Sequence, residues 1–382
     1  MGERALVTGG AGFIGSHICD ELLRQGYAVR ILDNLEPQVH GTADALPAYV
    51  NREVEFIPGD VRDPAVVARA LSGVDFLFHH ASAVGVAQSM YEIRRYTEIN
   101  SLGGATVLDV IANDPSRRPR KMVVASSMSL YGEGAYRCVN HSIVYPPPRH
   151  TAQLAQHEWQ VHCPHCGEPV VAVPTTEDKP ARPESIYAIG KRDHEEMFLV
   201  VGRAYDIPTV ALRYWQVYGT RQALSNPYTG VAAIFCSRIL GGHPPPIFED
   251  GAQLRDFIHV SDIARATVQA MQHPKADFHA INIGTGRSLT VLQVAHTLLE
   301  AMGSTLQPET LGAFRPGDVR DCIPDVTRAR ELLGFEATVS FEQGARDLVD
   351  WVAQQTDVED RFAQSRQELA HRELGQTRST HK

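Results

Sequence analysis

Three side chains in this sequence could move a proton together: Ser127, Tyr187 and Lys191. Tyr187 and Lys191 stand four apart in Tyr-Ala-Ile-Gly-Lys, so on a helix they share one face. An ammonium beside a phenol favours the phenolate and lowers a pKa that is about 10 in isolation. Tyr187 is therefore expected to take up a hydroxyl proton near neutral pH. Ser127 is expected to fix that hydroxyl and polarise the ketone that forms from it. Tyr-x-x-x-Lys alone is common on surface helices; its weight here comes from what lies upstream.

Upstream is Thr8-Gly-Gly-Ala-Gly-Phe-Ile-Gly15. Gly9, Gly12 and Gly15 are spaced for a tight turn, a bare backbone against a pyrophosphate, and close helix–strand packing. The helix that opens at Phe13 and Ile14 offers free N–H groups and a partial positive charge to phosphate. Asp33-Asn34 closes the next apolar run. A carboxylate there accepts hydrogen bonds from ribose hydroxyls and repels a 2′-phosphate, which favours NAD over NADP. Asp60-Val61 and Ala81-Ser82 follow the third and fourth runs, where further cofactor contacts fall. Lys191 is expected to hold the nicotinamide ribose as well, and the bound oxidised nicotinamide to push the Tyr187 phenol towards phenolate in the same sense.

A second chemistry-bearing group lies between Ser127 and Tyr187. Cys138-Val-Asn-His141 and Cys163-Pro-His-Cys166-Gly167 supply two pairs with the spacing of a tetrahedral Cys₃His zinc site. His162 and His165 are alternatives to His141, and unliganded cysteines in a surface loop are the plain alternative to a metal. A zinc ion here is expected to be structural, clipping a loop without a core of its own over the substrate pocket.

Positioning these residues requires a layered scaffold. Short apolar runs begin at Arg4, Ala28, Val54, Val74, Met122, Thr209 and Ile281, and amphipathic stretches separate the earlier ones. In the first such stretch Ile14, Ile18 and Leu22 recur every four residues. This alternation predicts an α/β protein with a Rossmann-type doubly wound parallel sheet and ligands at the strands' carboxyl ends. Residues 1–213 are expected to form the dinucleotide-binding domain, with an insert at 133–182. Residues 214–356 should form a smaller substrate lobe that returns some segments to the sheet. Residues 357–382 read as a polar tail, either a solvated helix or frayed.

The 382 residues carry a formal net charge of -9, which disfavours a nucleic-acid or anionic-membrane partner, so any phosphate site must be local. No run of about 18 apolar residues suggests a membrane span. Met1 to Arg4 leads straight into an apolar strand without a signal region, so a cytoplasmic enzyme is expected. Gly2 does not mark myristoylation, because Leu6 stands where Ser or Thr is needed. Six cysteines in a chain this long make no disulfide scaffold.

Taken in order, the glycine motif, Ser126-Ser127 with Tyr131-Gly132, and Tyr187 with Lys191 resemble the extended short-chain dehydrogenase/reductase family that epimerises or dehydrates nucleotide sugars. The likeness continues through Leu212-Arg-Tyr-Trp-Gln-Val-Tyr-Gly-Thr-Arg-Gln222, Gly251-Ala-Gln-Leu-Arg-Asp-Phe-Ile-His-Val260, Asn282-Ile-Gly-Thr-Gly286 and Arg315-Pro-Gly-Asp318. It thus spans residues 3–355. It implies NAD as cofactor and a nucleoside-diphosphate sugar as substrate. It also implies a homodimer, paired through the helix bearing Tyr187 and the one spanning Tyr91 to Ala112. By the same resemblance Tyr214 and Val217 line the nicotinamide and Asn100 sits beside the catalytic groups. Val84, Ser129, Gln216 and Asp318 meet the substrate, and Arg255 and Arg315 grip its diphosphate as guanidinium forks. Surface ion pairs with Asp256 and Asp318 are the alternative for these arginines. Gln216 departs from the Asn usual in relatives, which leaves the sugar's orientation open.

Similar sugar 4,6-dehydratases carry Asp-Glu at the two positions after the catalytic hydroxyl. Here those positions are Met128 and Ser129, which do no acid–base work. Related decarboxylases place Glu where Ser129 stands, and a ketone reductase would prefer NADPH, against the sense of Asp33. What remains is transient oxidation at C4 with return of hydride to the other face: a 4-epimerase that regenerates its NAD. The insert together with Ser225-Asn-Pro-Tyr-Thr-Gly-Val231 resembles enzymes assigned to dTDP-L-rhamnose, which implies a dTDP-6-deoxyhexose substrate. A UDP-hexose or UDP-uronate comes next. The rival classes are a net nucleotide-sugar oxidoreductase and a non-catalytic NAD-binding sensor; the intact Ser127, Tyr187 and Lys191 set argues against the sensor.

Overall fold

The computed structural model describes residues 2–41, 45–315, 317–356, 358–372 and 374. Its central sheet has seven strands in the order Ala280–Ile283, Thr209–Tyr214, Lys121–Ser127, Phe76–His79, Arg4–Thr8, Ala28–Asp33, Glu55–Pro58. Every neighbouring pair is parallel. Successive side chains point to opposite faces of a strand, and here both faces are covered. Val7, Ile31, Phe78, Val123 and Leu212 pack on one side with Ile18 and Leu22 of the helix Phe13–Arg24. Leu6, Leu32, Leu77, Val124 and Ala211 pack on the other with Val107, Ile111 and Phe198. That is why the strands read as continuous apolar runs rather than alternating ones. The order reverses between Arg4–Thr8 and Phe76–His79, and a crevice for ligands opens at that switch point.

After Tyr214 the chain builds a second lobe. Gln216–Tyr218, Leu254–His259 and Ser288–Thr290 make a small sheet, and the helices Val231–Leu240, Val291–Ala301 and Phe341–Val352 enclose a separate apolar core. The lobe is not a closed excursion. The helix Val260–Gln272 packs against Phe13–Arg24, and Ala280–Ile283 then adds the last strand to the main sheet.

Two expectations need correction. The insert is not a coreless loop: Ala135–Cys138 pairs antiparallel with Ser142–Val144 and Val171–Val173, over a small core of Tyr136, Cys138, Val144, Val161, Cys163 and Val170. The polar tail takes the helical of its two expected forms, but one side of it is packed rather than solvated. Phe362–His371 is a helix that buries Phe362, Ser365 and Leu369, and its Glu368 accepts a 2.6 Å hydrogen bond from Tyr228. Residues 375–382 lie outside the described residues. No described helix is long and apolar enough to cross a membrane.

Candidate active site

The glycine turn is tight enough to exclude side chains. A Cβ on Gly15 would stand 2.1 Å from the Gly9 carbonyl oxygen, and one on Gly9 would stand 2.8 Å from the Ala81 nitrogen. Gly9 also has φ of 71°, which favours glycine. Phe13 and Ile14 open the helix, and at Gly12 no side chain caps it, so its first N–H groups remain available to an anion. Asp33 is buried behind this turn and accepts from the Ala11 N–H at 3.0 Å and the Leu35 N–H at 2.9 Å. Those bonds fix the carboxylate at the strand end while leaving it acceptor capacity. This cradle fits a dinucleotide.

Around it, Asn34 donates to Asp60 at 3.1 Å, and Arg62 grips Asp60 through Nε and a terminal nitrogen. The guanidinium holds the Asp60 carboxyl below its usual range. Val61 is buried. Ala81 donates from its backbone to Thr8, and Ser82 donates to Asn100 at 3.1 Å.

Ser127 ends the strand Lys121–Ser127 and lies in register with Tyr214 on the next strand. Tyr187 occupies the first turn of the helix Ile186–Ala204, which is capped by Ser185 accepting from the Ala188 N–H. The Tyr187 N–H donates to Ser89 at 3.1 Å. The structure thus brings Ser127, Tyr187 and Lys191 together at one crevice edge. Ser129 donates to the Ser127 oxygen from both its N–H, at 3.1 Å, and its hydroxyl, at 2.9 Å. Burial pushes the Tyr187 phenol up to about 12, and a hydrogen bond with Ser127 pulls it the other way. Burial also lowers Lys191 to about 7, and its ammonium donates to the Ala125 carbonyl at 3.2 Å. The expectation that Lys191 acidifies Tyr187 is therefore revised. In the protein alone burial dominates both groups, and the neighbour that favours the phenolate is Ser127.

Beneath these residues lies a network that the sequence reading missed. Glu195, on the catalytic helix, forms a buried fork with Arg213 at 2.5 and 2.9 Å and accepts from Ser126 at 2.7 Å. Arg213 also donates to Tyr131 at 2.6 Å, and Tyr131 donates to Asn282 at 2.8 Å. Two signals could have found it: Glu195 sits two turns beyond Tyr187 on the same helix face, and Arg213 interrupts an otherwise apolar strand. Asn100 lies in a π-helical turn, Thr97–Leu102, a geometry that recurs at functional sites. Its carbonyl bonds to His194 at 2.8 Å and its side chain clamps Ala83. Gly190 permits this closeness, since a Cβ there would stand 2.9 Å from that of Asn100.

The remaining expected contacts are placed less simply. Tyr214 is buried, with its hydroxyl engaged by His80 at 2.9 Å and Thr267 at 2.6 Å, so only its ring and backbone can face a ligand. Gln216 and Val217 lie half-buried on the first strand of the small sheet, and Val84 is exposed. Arg255 does not pair with Asp256, whose carboxylate accepts from the Thr285 and Arg287 N–H groups. Its terminal nitrogens hold the carbonyls of Leu254, Val319 and Arg320, with Asp318 3.9 Å away. Arg315 stacks over Phe248, 4.2 Å from the ring centre.

The model of the NAD dependent epimerase/dehydratase family matches residues 5–153 and 164–284. A dTDP-L-rhamnose 4-epimerase of Burkholderia thailandensis is 32% identical over 359 residues, covering 93% of this chain and 96% of that one. A UDP-glucose 4-epimerase from Thermotoga maritima, solved with UDP-glucose, shares 32% identity at a TM-score of 0.74, covering 92% of this chain and 99% of that one. A UDP-glucuronic acid 4-epimerase from Bacillus cereus, solved with UDP-glucuronic acid and NAD, shares 26% identity at a TM-score of 0.74, with the same coverage.

Proposed function

The chain belongs to the NAD dependent epimerase/dehydratase family, and from that premise we propose that it is a nucleotide-sugar 4-epimerase acting on a dTDP-6-deoxyhexose such as dTDP-L-rhamnose. The observation that carries the reaction type is the absence of an acid or base beside the catalytic hydroxyl of Ser127. Ser129 donates to the Ser127 oxygen at 2.9 Å, and Met128 and Ser129 offer no ionisable group with which to expel water or carboxylate. Such a site can take a proton from an alcohol and return it, and little else.

Tyr187 accepts the C4 hydroxyl proton while Ser127 donates a hydrogen bond to the oxygen as it becomes a carbonyl. NAD, when bound, would supply both acceptance and return of the hydride at C4. Tyr187 gives the proton back to the oxygen on the inverted carbon. Gly9, Gly12 and Gly15, with Phe13, Ile14 and Asp33, would hold the dinucleotide, with Asn34, Asp60, Val61, Ala81, Ser82 and Asn100 along its course. Lys191, Tyr214 and Val217 would bound its reactive ring. Val84, Gln216, Arg315 and Asp318 would meet the sugar nucleotide. Arg255 would reach it only through Nε, or after releasing the carbonyls it now holds.

The dTDP-L-rhamnose assignment is supported by the relative from Burkholderia thailandensis. The two solved structures favour a UDP-hexose or UDP-uronate as the second reading. Incubation with a panel of dTDP- and UDP-sugars, read by NMR for inversion at C4, tests both. Conversion of dTDP-L-rhamnose ahead of UDP-glucose and UDP-glucuronate is expected. Preference for a UDP-sugar would move the assignment to the second reading, and net ketone accumulation would replace epimerisation by oxidation.

We also infer a homodimer. Ile93 and Leu102 on one side of the expected pairing surface, and Ile189 and Val200 on the helix of Tyr187, are exposed apolar side chains. Sedimentation should give two chains per particle, and Leu102→Glu with Val200→Glu should give one. A wild-type monomer at micromolar concentration would remove the inference.

A further inference from the structure

Cys138, His141, Cys163 and Cys166 each bring one ligand atom into a cluster in which all four lie within 4.8 Å of one another. Cys138 Sγ stands 3.6 Å from both His141 Nδ1 and Cys166 Sγ, and Cys163 Sγ stands 3.7 Å from His141 Nδ1. A disulfide would need about 2.05 Å between sulfurs. A tetrahedral ion with bonds of about 2.3 Å to sulfur and about 2.0 Å to nitrogen sets its ligand atoms ~3.5–3.8 Å apart, the spacing of these three pairs. The other two candidate histidines differ. His162 is held by Glu158 at 2.7 Å and the Gly167 carbonyl at 2.9 Å, while His165 only stacks near His141. Asn140 points its backbone N–H at Cys138 and its side chain at Cys166, the outer-shell bonding that thiolate ligands attract.

We propose that these four residues bind one zinc ion, and that the ion keeps the insert rigid as a strut beneath residues 312–315 and 317–321, the stretch that carries Arg315 and Asp318. Two of the six buried residues in the insert's core are ligand cysteines, so a bound ion would cross-link a core too small to be rigid by packing alone. From the insert around this core, several contacts reach the stretch. Arg149 is buried, forks onto Glu249 at 2.8 and 2.9 Å, and donates to the Asp318 carbonyl at 3.2 Å. Glu133 accepts from the Arg320 N–H at 2.7 Å and from Tyr136 of the insert core at 2.8 Å. Gly134 donates to the Asp321 carbonyl at 2.8 Å, and the Trp159 ring lies 6.4 Å from that of Phe314. The strut's relevance to substrate rests on the role given above to Arg315 and Asp318; the metal site does not.

The test uses full-length, tag-free protein grown with zinc. Elemental analysis should give one zinc per chain, released when a mercurial blocks the thiols. Cys163→Ser with Cys166→Ser should carry almost none. In zinc-free protein, amide exchange in residues 135–144 and 317–321 should quicken about tenfold or more, while strand Lys121–Ser127 stays as protected as before. If the cysteine variant is insoluble, mercurial-stripped native protein gives the same comparison. Arg149→Met should loosen residues 317–321 with its zinc retained. Well under one zinc per native chain overturns the site. One zinc, with exchange at 317–321 indifferent to its loss, overturns the strut. None of these readings depends on turnover, so a protein that epimerises no sugar would still decide them.

Discussion

Tyr187→Phe is expected to leave a folded protein that keeps its NAD and turns over about 10²–10⁴-fold more slowly, the range for a lost general acid–base. The substitution removes one oxygen from a half-buried residue whose backbone N–H is anchored to Ser89 and whose helix is capped by Ser185, so the site should keep its shape. The pH dependence has a definite sign. A base works when unprotonated, and burial pushes Tyr187 up to about 12, so the rate should climb as pH rises through and beyond neutrality. How far the climbing limb falls below that value in the loaded enzyme measures the help given by Ser127, Lys191 and the charge of the bound cofactor. The residual rate of the Phe variant should lack that limb. Full activity in the variant would show that another group takes the proton.

Glu195→Ala should be the most destabilising single change in the site, by about 3–5 kcal/mol, because it leaves a buried guanidinium without its partner. Arg213 and Glu195 retain only 10% and 8% side-chain exposure, so water cannot replace the lost carboxylate. Against a typical stability of about 5–15 kcal/mol that loss is large. Replacing both residues by Leu should cost less than the single change, since an apolar pair leaves no orphaned charge; the hydroxyl of Tyr131 and the carbonyl of Glu177 would still lose a donor. Denaturant midpoints for Glu195→Leu, Arg213→Leu and the double give the coupling. A Glu195→Ala midpoint equal to that of the wild type would mean that the pair carries no stability.

Much of the scaffold could be read locally. The glycine motif, Asp33 at a strand end and the four-residue step from Tyr187 to Lys191 each occupy a short window, and backbone geometry converts such windows directly into turns and helix faces. What could not be read arises from segments distant in sequence. Glu195 and Arg213 meet only because a helix crosses a strand. Arg255 is engaged by the carbonyls of Val319 and Arg320 only because the chain returns there. The burial around Tyr187 was hidden for the same reason: proximity along a helix is visible in a sequence, but the enclosure that pushes the phenol up is not. The insert's core escaped notice because its apolar residues are few and some, such as Val139 and Val171, face solvent.

The second lobe is joined to the sheet by five separate passages of backbone: out after Tyr214, back with Val260–Gln272, out past Ile283, back with Thr327–Leu333 and out again to Phe341–Val352. A body fastened at five points cannot swing like a door on a single pin. Between the two halves of an inversion, then, the wall stays put and the guest must do the turning, so the room left around a pivoting ring, more than any closing motion, sets which sugars can be flipped.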